Sequence, residues 1–182
     1  VQGPPGSGKT YTGARRAVDL MKEGQRVGVT ALSHKAINQF LKEVESVGYE
    51  FRGRKKSSGE DTEFDGRCID SSADNADLLD DELQLIAGTS FLFSRPEFDQ
   101  QVDTLFVDEG GQMALADALA VGTAARKVIL LGDPNQLSQV TQGSHPPGAE
   151  ASVLGHDPSD QQRRRQQSRQ LPQPEDSEHA TR

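Results

Sequence analysis

Gly3-Pro4-Pro5-Gly6-Ser7-Gly8-Lys9-Thr10 constrains this chain more than any other stretch, because it fits G-x-x-x-x-G-K-[ST], a glycine-rich loop that turns directly into a helix. The glycines let the backbone curl so that successive N–H groups converge on phosphate oxygens. The helix that follows adds its positive N-terminal end. Lys9 is placed to reach the β- and γ-phosphates of a nucleotide, and the Thr10 hydroxyl to ligate Mg²⁺. Loops of this kind usually follow a buried β-strand, whereas this sequence opens at Val1, two residues upstream. The expectation is therefore an α/β fold truncated at its N-terminus, as in a piece of something longer.

At 182 residues the chain suits one domain with a sizeable core plus a tail. No apolar run approaches the roughly 20 residues of a membrane helix and no signal segment opens the sequence, so a soluble cytoplasmic protein without a membrane partner is expected. Cys68 is the only cysteine, and His34, His145, His156 and His179 are too scattered for common ligand spacings, so no zinc site is expected. The formal charge of −8 argues against a uniformly basic nucleic-acid surface. The acid is concentrated, however, with ten acidic residues against one basic between 60 and 83, while the first 59 residues are net basic.

Periodicity orders the rest. Ala14, Ala17, Val18 and Met21 recur at helical spacing, predicting an amphipathic helix over 10–22 that stops at Gly24. Arg26 to Leu32 reads as a strand with valines at alternate positions, followed by a helix capped by Ser33 and packed through Ile37, Phe40, Leu41 and Val44. Arg52 to Gly59 reads as a charged surface loop, and Ala73 to Leu83 as an acidic helix. Leu85 to Thr89 reads as a short buried strand, and Ser90 to Phe93 as a short helix ending before Pro96. Thr104 to Glu109 is an apolar strand ending in two carboxylates, Met113 to Val121 a helix, and Lys127 to Asp133 a second apolar strand ending in an acid. The rhythm is that of a parallel sheet with flanking helices. From Asp157 onward Gln, Arg, Ser and Pro dominate, so the organisation expected is a domain over 1–156 and a disordered tail over 157–182.

Ligands of open parallel sheets bind beyond the carboxyl ends of the strands, where the phosphate loop, Asp108-Glu109 and Asp133 to Gln136 all fall. Cleaving a γ-phosphate requires Mg²⁺ held by a hydroxyl and a carboxylate, a group that orients water, and donors for the developing charge. Thr10 and Asp108 are the candidates for the metal, Glu109 for the water and Lys9 for the charge. The Gln136 amide is the candidate for sensing the γ-phosphate. Asp133 is equally well read as a structural turn residue before Pro134.

These segments, GPPGSGKT, VTALSHKAI, IAGTS, LFVDEGGQ and LLGDPNQLSQV, resemble motifs I, Ia, Ic, II and III of superfamily 1 helicases, in the AAA-containing branch that includes the nonsense-mediated-decay and Dna-two-type helicases. The run GTAARKVILLGDPNQLSQVTQGSHPPGAEASVLGH is most similar to the helicase part of bacterial proteins with a RecB-like nuclease fused ahead of it. The resemblance implies a first RecA-like P-loop NTPase domain using ATP and Mg²⁺. It also implies that Thr30, Ser33, His34 and Lys35 face single-stranded nucleic acid, with DNA favoured over RNA as the partner. Departures are Gly110, where the wider superfamily often has Ala, and Ser138 in place of a common proline. Nothing resembles motifs IV to VI or the adenine-contacting segment ahead of motif I, so the second RecA-like domain and the nuclease half are expected in a full-length protein. The chain alone is then expected to bind ATP but not to unwind. The alternatives are a non-catalytic truncated remnant and a small-molecule phosphotransferase, against which Glu109 and GDPNQL stand.

Overall fold

The apolar stripe predicted after the phosphate loop is where packing begins. In a computed structural model that describes residues 8–133, α1 (Lys9–Lys22) buries Ala14, Ala17, Val18 and Met21 on one face. Strand β1 (Val27–Thr30) follows, fully buried, and then α2 (His34–Ser46), which buries Ile37, Phe40, Leu41 and Val44. The remaining elements are β2 (Gly53–Lys56), β3 (Ile69–Ser72), β4 (Leu85–Ala87), α3 (Ser90–Phe93), β5 (Val102–Val107), α4 (Leu115–Gly122) and β6 (Ala125–Leu130).

The strands form one six-stranded sheet in the order β3-β2-β4-β1-β5-β6, and every pairing is parallel. Both faces of its centre are covered, as parallel sheets require. Val27, Val29, Leu85, Ala87 and Phe106 join α1 and α2 in one cluster. Ile86, Leu105 and Val107 point the other way, onto Leu78, Phe93, Phe98, Met113 and Val121. Phe40 meets Phe106 with ring centroids 5.7 Å apart, seating α2 on the sheet. Truncating such a buried ring to alanine costs about 3–5 kcal/mol. No helix among the described residues is long and apolar enough to cross a membrane.

Two expectations are corrected. Residues 52–59 are not a surface loop, because Gly53 to Lys56 form a strand between β3 and β4, pairing Gly53 with Ile69 and Leu85. Its inward positions are Gly53 and Lys55. Gly53 leaves room for Phe51 and Ile69, and the Lys55 ammonium is satisfied internally by donating to the Thr62 carbonyl. Hydrogen bonding from both neighbours thus overrides a polar composition that argues for solvent. The acidic helix over 73–83 is likewise absent, leaving only a 3-10 turn at Ala76–Leu79. Asp74 and Asp80 accept from the N–H groups of Ala76 and Glu82, and Arg26 takes the carbonyls of Leu78 and Asp80 that a helix would use internally. Short acidic side chains that bond their own backbone favour turns over helix.

Candidate functional site

Because all strands run the same way, their carboxyl ends share one edge, and α1 starts there. Gly8 adopts φ 72°, a left-handed conformation costly for a side-chain-bearing residue, and its carbonyl accepts from the Thr12 N–H at 2.9 Å. One turn on, the Thr10 hydroxyl donates to Asp108 Oδ2 at 3.2 Å, joining the start of α1 to the end of β5 across 98 positions of sequence. The approach is set by packing, since Gly13 of α1 lies so close to Leu131, just past β6, that a Cβ there would stand 2.5 Å from its Cδ1.

Asp108 is buried, with its backbone N–H donating to Thr30 at 2.9 Å and its Oδ1 accepting from the Glu109 N–H at 2.9 Å. Burial raises its pKa, against the opposing pull of those hydrogen bonds and of the Lys9 charge. Glu109 is half-buried, its pKa raised by burial and by Asp108 beside it. It also sits at φ 56°, the left-handed region that non-glycine residues rarely occupy. The turn that holds it there is closed on both sides. The Gly110 N–H donates to Leu131 at 2.8 Å, and the Gln112 N–H returns to Glu109 at 2.9 Å. At Gly111 a Cβ would fall 2.2 Å from the Asp133 carbonyl oxygen, so this glycine lets the turn after β5 approach the backbone that follows β6.

The Thr10 and Asp108 oxygens are hard donors, and their separation suits one edge of a small octahedron, in which ligands at 2.0–2.1 Å stand about 2.9 Å apart. Among the described residues no cluster of three or more His, Cys, Asp or Glu is arranged to hold a metal alone. A divalent ion here would complete its shell with water and phosphate oxygens, as Mg²⁺ commonly does. Gly3, Pro4, Pro5, Gly6 and Ser7 of the loop and Gln136 lie outside the described residues.

Of the residues expected to face nucleic acid, Thr30 is fully buried, and its hydroxyl finds no hydrogen-bond partner among the described residues. It is enclosed at the end of β1. Ser33 is exposed, and its Oγ accepts from the Ala36 N–H at 3.1 Å as the cap of α2. Lys35 is exposed and His34 half-buried at the same helix start. His34 Nδ1 lies 3.3 Å from the Lys55 ammonium, and its pKa is lowered by burial and then by that charge. Lys55 belongs to the stretch read as a charged surface loop, although the alternation of Gly53 and Lys55 with Arg54 and Lys56 has the period of a strand.

The profile of the family described as an AAA domain matches residues 1–170. The DNA replication ATP-dependent helicase/nuclease JHS1 of Arabidopsis thaliana is 24% identical over 149 residues, which are 79% of this chain and 11% of that protein. Among solved structures, Arterivirus nonstructural protein 10, a helicase in complex with DNA, superposes with a TM-score of 0.52 at 22% identity over 80% of this chain and 31% of its own. A nuclease-deletion mutant of the Type ISP restriction-modification enzyme LlaGI, in complex with a DNA substrate mimic, gives 0.52 at 15% identity over 69% and 12%. The chain thus spans between about a tenth and a third of these proteins. The family profile extends over most of the sequence, and beneath it lies a parallel sheet whose acids meet the helix of the phosphate loop. The chain belongs to the AAA domain family, whose profile covers most of it, and shares its fold with these solved structures.

Proposed function

We propose that this chain is the first motor domain of a DNA or RNA helicase, with residues 1–156 as the unit that binds ATP and Mg²⁺ and hydrolyses ATP against single-stranded nucleic acid. The observation that supports this reading best is the 3.2 Å contact between Thr10 and Asp108 at the start of α1, which brings together two candidate metal-holding residues far apart in sequence. In this reading the backbone of Gly3 to Gly8 cradles the phosphates, with Lys9 on the β- and γ-oxygens. Thr10 and Asp108 hold Mg²⁺, which when bound neutralises phosphate charge. Glu109 orients the attacking water and accepts its proton, a role suited to a carboxylate whose pKa is raised by burial. Gln136 contacts the γ-phosphate, and Ser33, His34 and Lys35 meet the nucleic acid.

Comparable phosphoryl-transfer enzymes gain about 10³- to 10⁵-fold from an arginine supplied across the site by a neighbouring domain or partner. Turnover by this domain is therefore expected to be slow until a second RecA-like domain completes it. The test is Mg-ATP binding by isothermal titration with the purified chain, followed by ATPase with and without single-stranded DNA. Lys9→Ala is expected to abolish binding, and Glu109→Gln to preserve binding while abolishing turnover. Folded protein that binds no Mg-ATP would overturn the proposal.

A further inference from the structure

A lysine is almost never fully buried unless its ammonium is paired, and Lys55 is 0% exposed. It stands on β2 opposite Ser71 of β3 and Ala87 of β4, and its ammonium meets groups from two other elements. It donates to the Thr62 carbonyl and lies 3.3 Å from Nδ1 of His34 at the start of α2. Both partners are held independently of the lysine. Thr62 ends a 3-10 turn at Glu60–Thr62, its hydroxyl accepting from the Ser58 N–H at 2.7 Å and donating to the Gly59 carbonyl at 2.8 Å. The Asn38 amide of α2 donates to the Glu63 carbonyl at 3.1 Å, so the chain after this turn is tied to the helix that carries His34. The ammonium is thus fixed between β2, the turn and α2.

An ammonium carries three N–H donors and no acceptor, so a ring nitrogen facing it must present a lone pair. In a neutral imidazole the other nitrogen then carries the proton. From this geometry we propose that Lys55 is a positioning residue for His34: its ammonium, braced on the Thr62 carbonyl, holds the imidazole in the neutral form protonated at Nε2, with Nδ1 turned inward. Nε2, across the ring from Nδ1, is the nitrogen left for a ligand.

A second proton on this ring would sit on Nδ1 and face the ammonium directly. The other charged groups around it act in the same sense, since Lys56 and Arg95 line one cleft with His34 and Lys35 follows it on α2, while Glu63 is the carboxylate that acts on Lys55. Burial, and after it the Lys55 charge, accordingly lowers the His34 pKa. What His34 meets rests on the motor reading above. Lys55 touches no ligand in that reading, and its effect is to make His34 a donor of one neutral hydrogen bond. The contact then gains no charge as pH falls through the ordinary histidine range near about 6.5, where an unrestrained imidazole would become a further cation on the strand.

The test is long-range ¹H–¹⁵N spectroscopy of the imidazoles in the full 182-residue chain, with the His34 signals assigned by their absence in His34→Gln. At neutral pH the wild type is expected to show a bare Nδ1 and a protonated Nε2. Lys55→Met, which fills the same space without the charge, is expected to raise the His34 titration midpoint and to admit both neutral forms. Binding is then followed by fluorescence anisotropy of a fluorescein-labelled oligothymidylate. On the acid side of that midpoint Lys55→Met is expected to steepen the slope of log affinity against log salt by about 0.7 relative to wild type, the value of one added phosphate contact on a single strand. The double variant Lys55→Met/His34→Gln is expected to lose that gain. A proton on Nδ1 in the wild type, which is read even if Lys55→Met fails to fold, would overturn the positioning role, as would an unmoved midpoint in folded Lys55→Met. A raised midpoint with an unchanged salt slope would uphold that role and overturn the placing of His34 against nucleic acid.

Discussion

Replacing Glu109 separates what the turn after β5 does for catalysis from what it costs the fold. At φ 56° a residue with a Cβ bears roughly 1–2 kcal/mol of steric strain that glycine does not. Glycine in turn adds about 0.5–1 kcal/mol of conformational entropy to the unfolded chain. The backbone balance for Glu109→Gly is thus a net stabilisation of about 0.5–1 kcal/mol. A second contribution has the same sign. The folded pKa of Glu109 lies above its ordinary value of 4.5, so the unfolded chain ionises first as pH rises. The folded state then binds more protons than the unfolded, and stability falls through that window, leaving the native state at neutral pH with a half-buried charge beside Asp108. Glu109→Gln removes that charge but retains the strained backbone.

The expected order of stability at pH 7 is therefore Gly above Gln above wild type, with the Gly variant melting about 3–5 °C higher than wild type. Urea denaturation followed by circular dichroism measures the order, and repeating it at pH 4 should shrink the difference between Gln and wild type. Both variants should bind Mg-ATP and lose turnover by about 10²- to 10⁴-fold if Glu109 is the general base. A Gly variant less stable than the Gln variant would refute the strain assigned to position 109. Undiminished turnover in both would refute its catalytic role.

The neighbouring glycines should respond in opposite ways. Gly110→Ala places its Cβ 3.5 Å from the Leu131 carbonyl, an ordinary contact, and should stabilise by about 0.4–1 kcal/mol, whereas Gly111→Ala meets Asp133 at 2.2 Å and should cost about 1–3 kcal/mol in the same denaturation assay. Lys55, buried with a pKa lowered to about 8, binds fewer protons folded than unfolded between pH 8 and its ordinary 10.5. Wild type should consequently gain stability relative to Lys55→Met as pH rises through that window, and a difference independent of pH would refute the buried ammonium. Thr10→Val, which deletes the hydroxyl next to Asp108, should raise the Mg²⁺ concentration needed for ATP binding, while Thr10→Ser should leave it unchanged.

Much of this architecture is legible in the chain because it rests on local chemistry. The apolar spacing of Ala14, Ala17, Val18 and Met21, the Ser33 cap and the valines of β1 each act within a few residues, and each element stands where the pattern puts it. The acids at the end of β5 were visible for the same reason, since an apolar strand that stops on two carboxylates requires no knowledge of its neighbours. By contrast, β2 is a strand only because β3 and β4 bond it from both sides, and its buried lysine depends on a carbonyl seven residues away. The acidic stretch failed to become a helix because Arg26, some fifty residues earlier, draws its carbonyls away.

By itself, then, the sequence determined the motif identities, the alternation of strand and helix, and the types of side chain available for phosphate chemistry, because these depend on spacing and local hydrogen bonding. Only the tertiary structure decided which groups meet. It brought Thr10 to Asp108 and Gly111 to Asp133, enclosed Thr30, and set His34 against the buried Lys55 ammonium. The physical reason is that parallel strands deliver their carboxyl ends to one edge whatever their separation along the chain, so proximity there is set by strand order and packing, which no local pattern encodes.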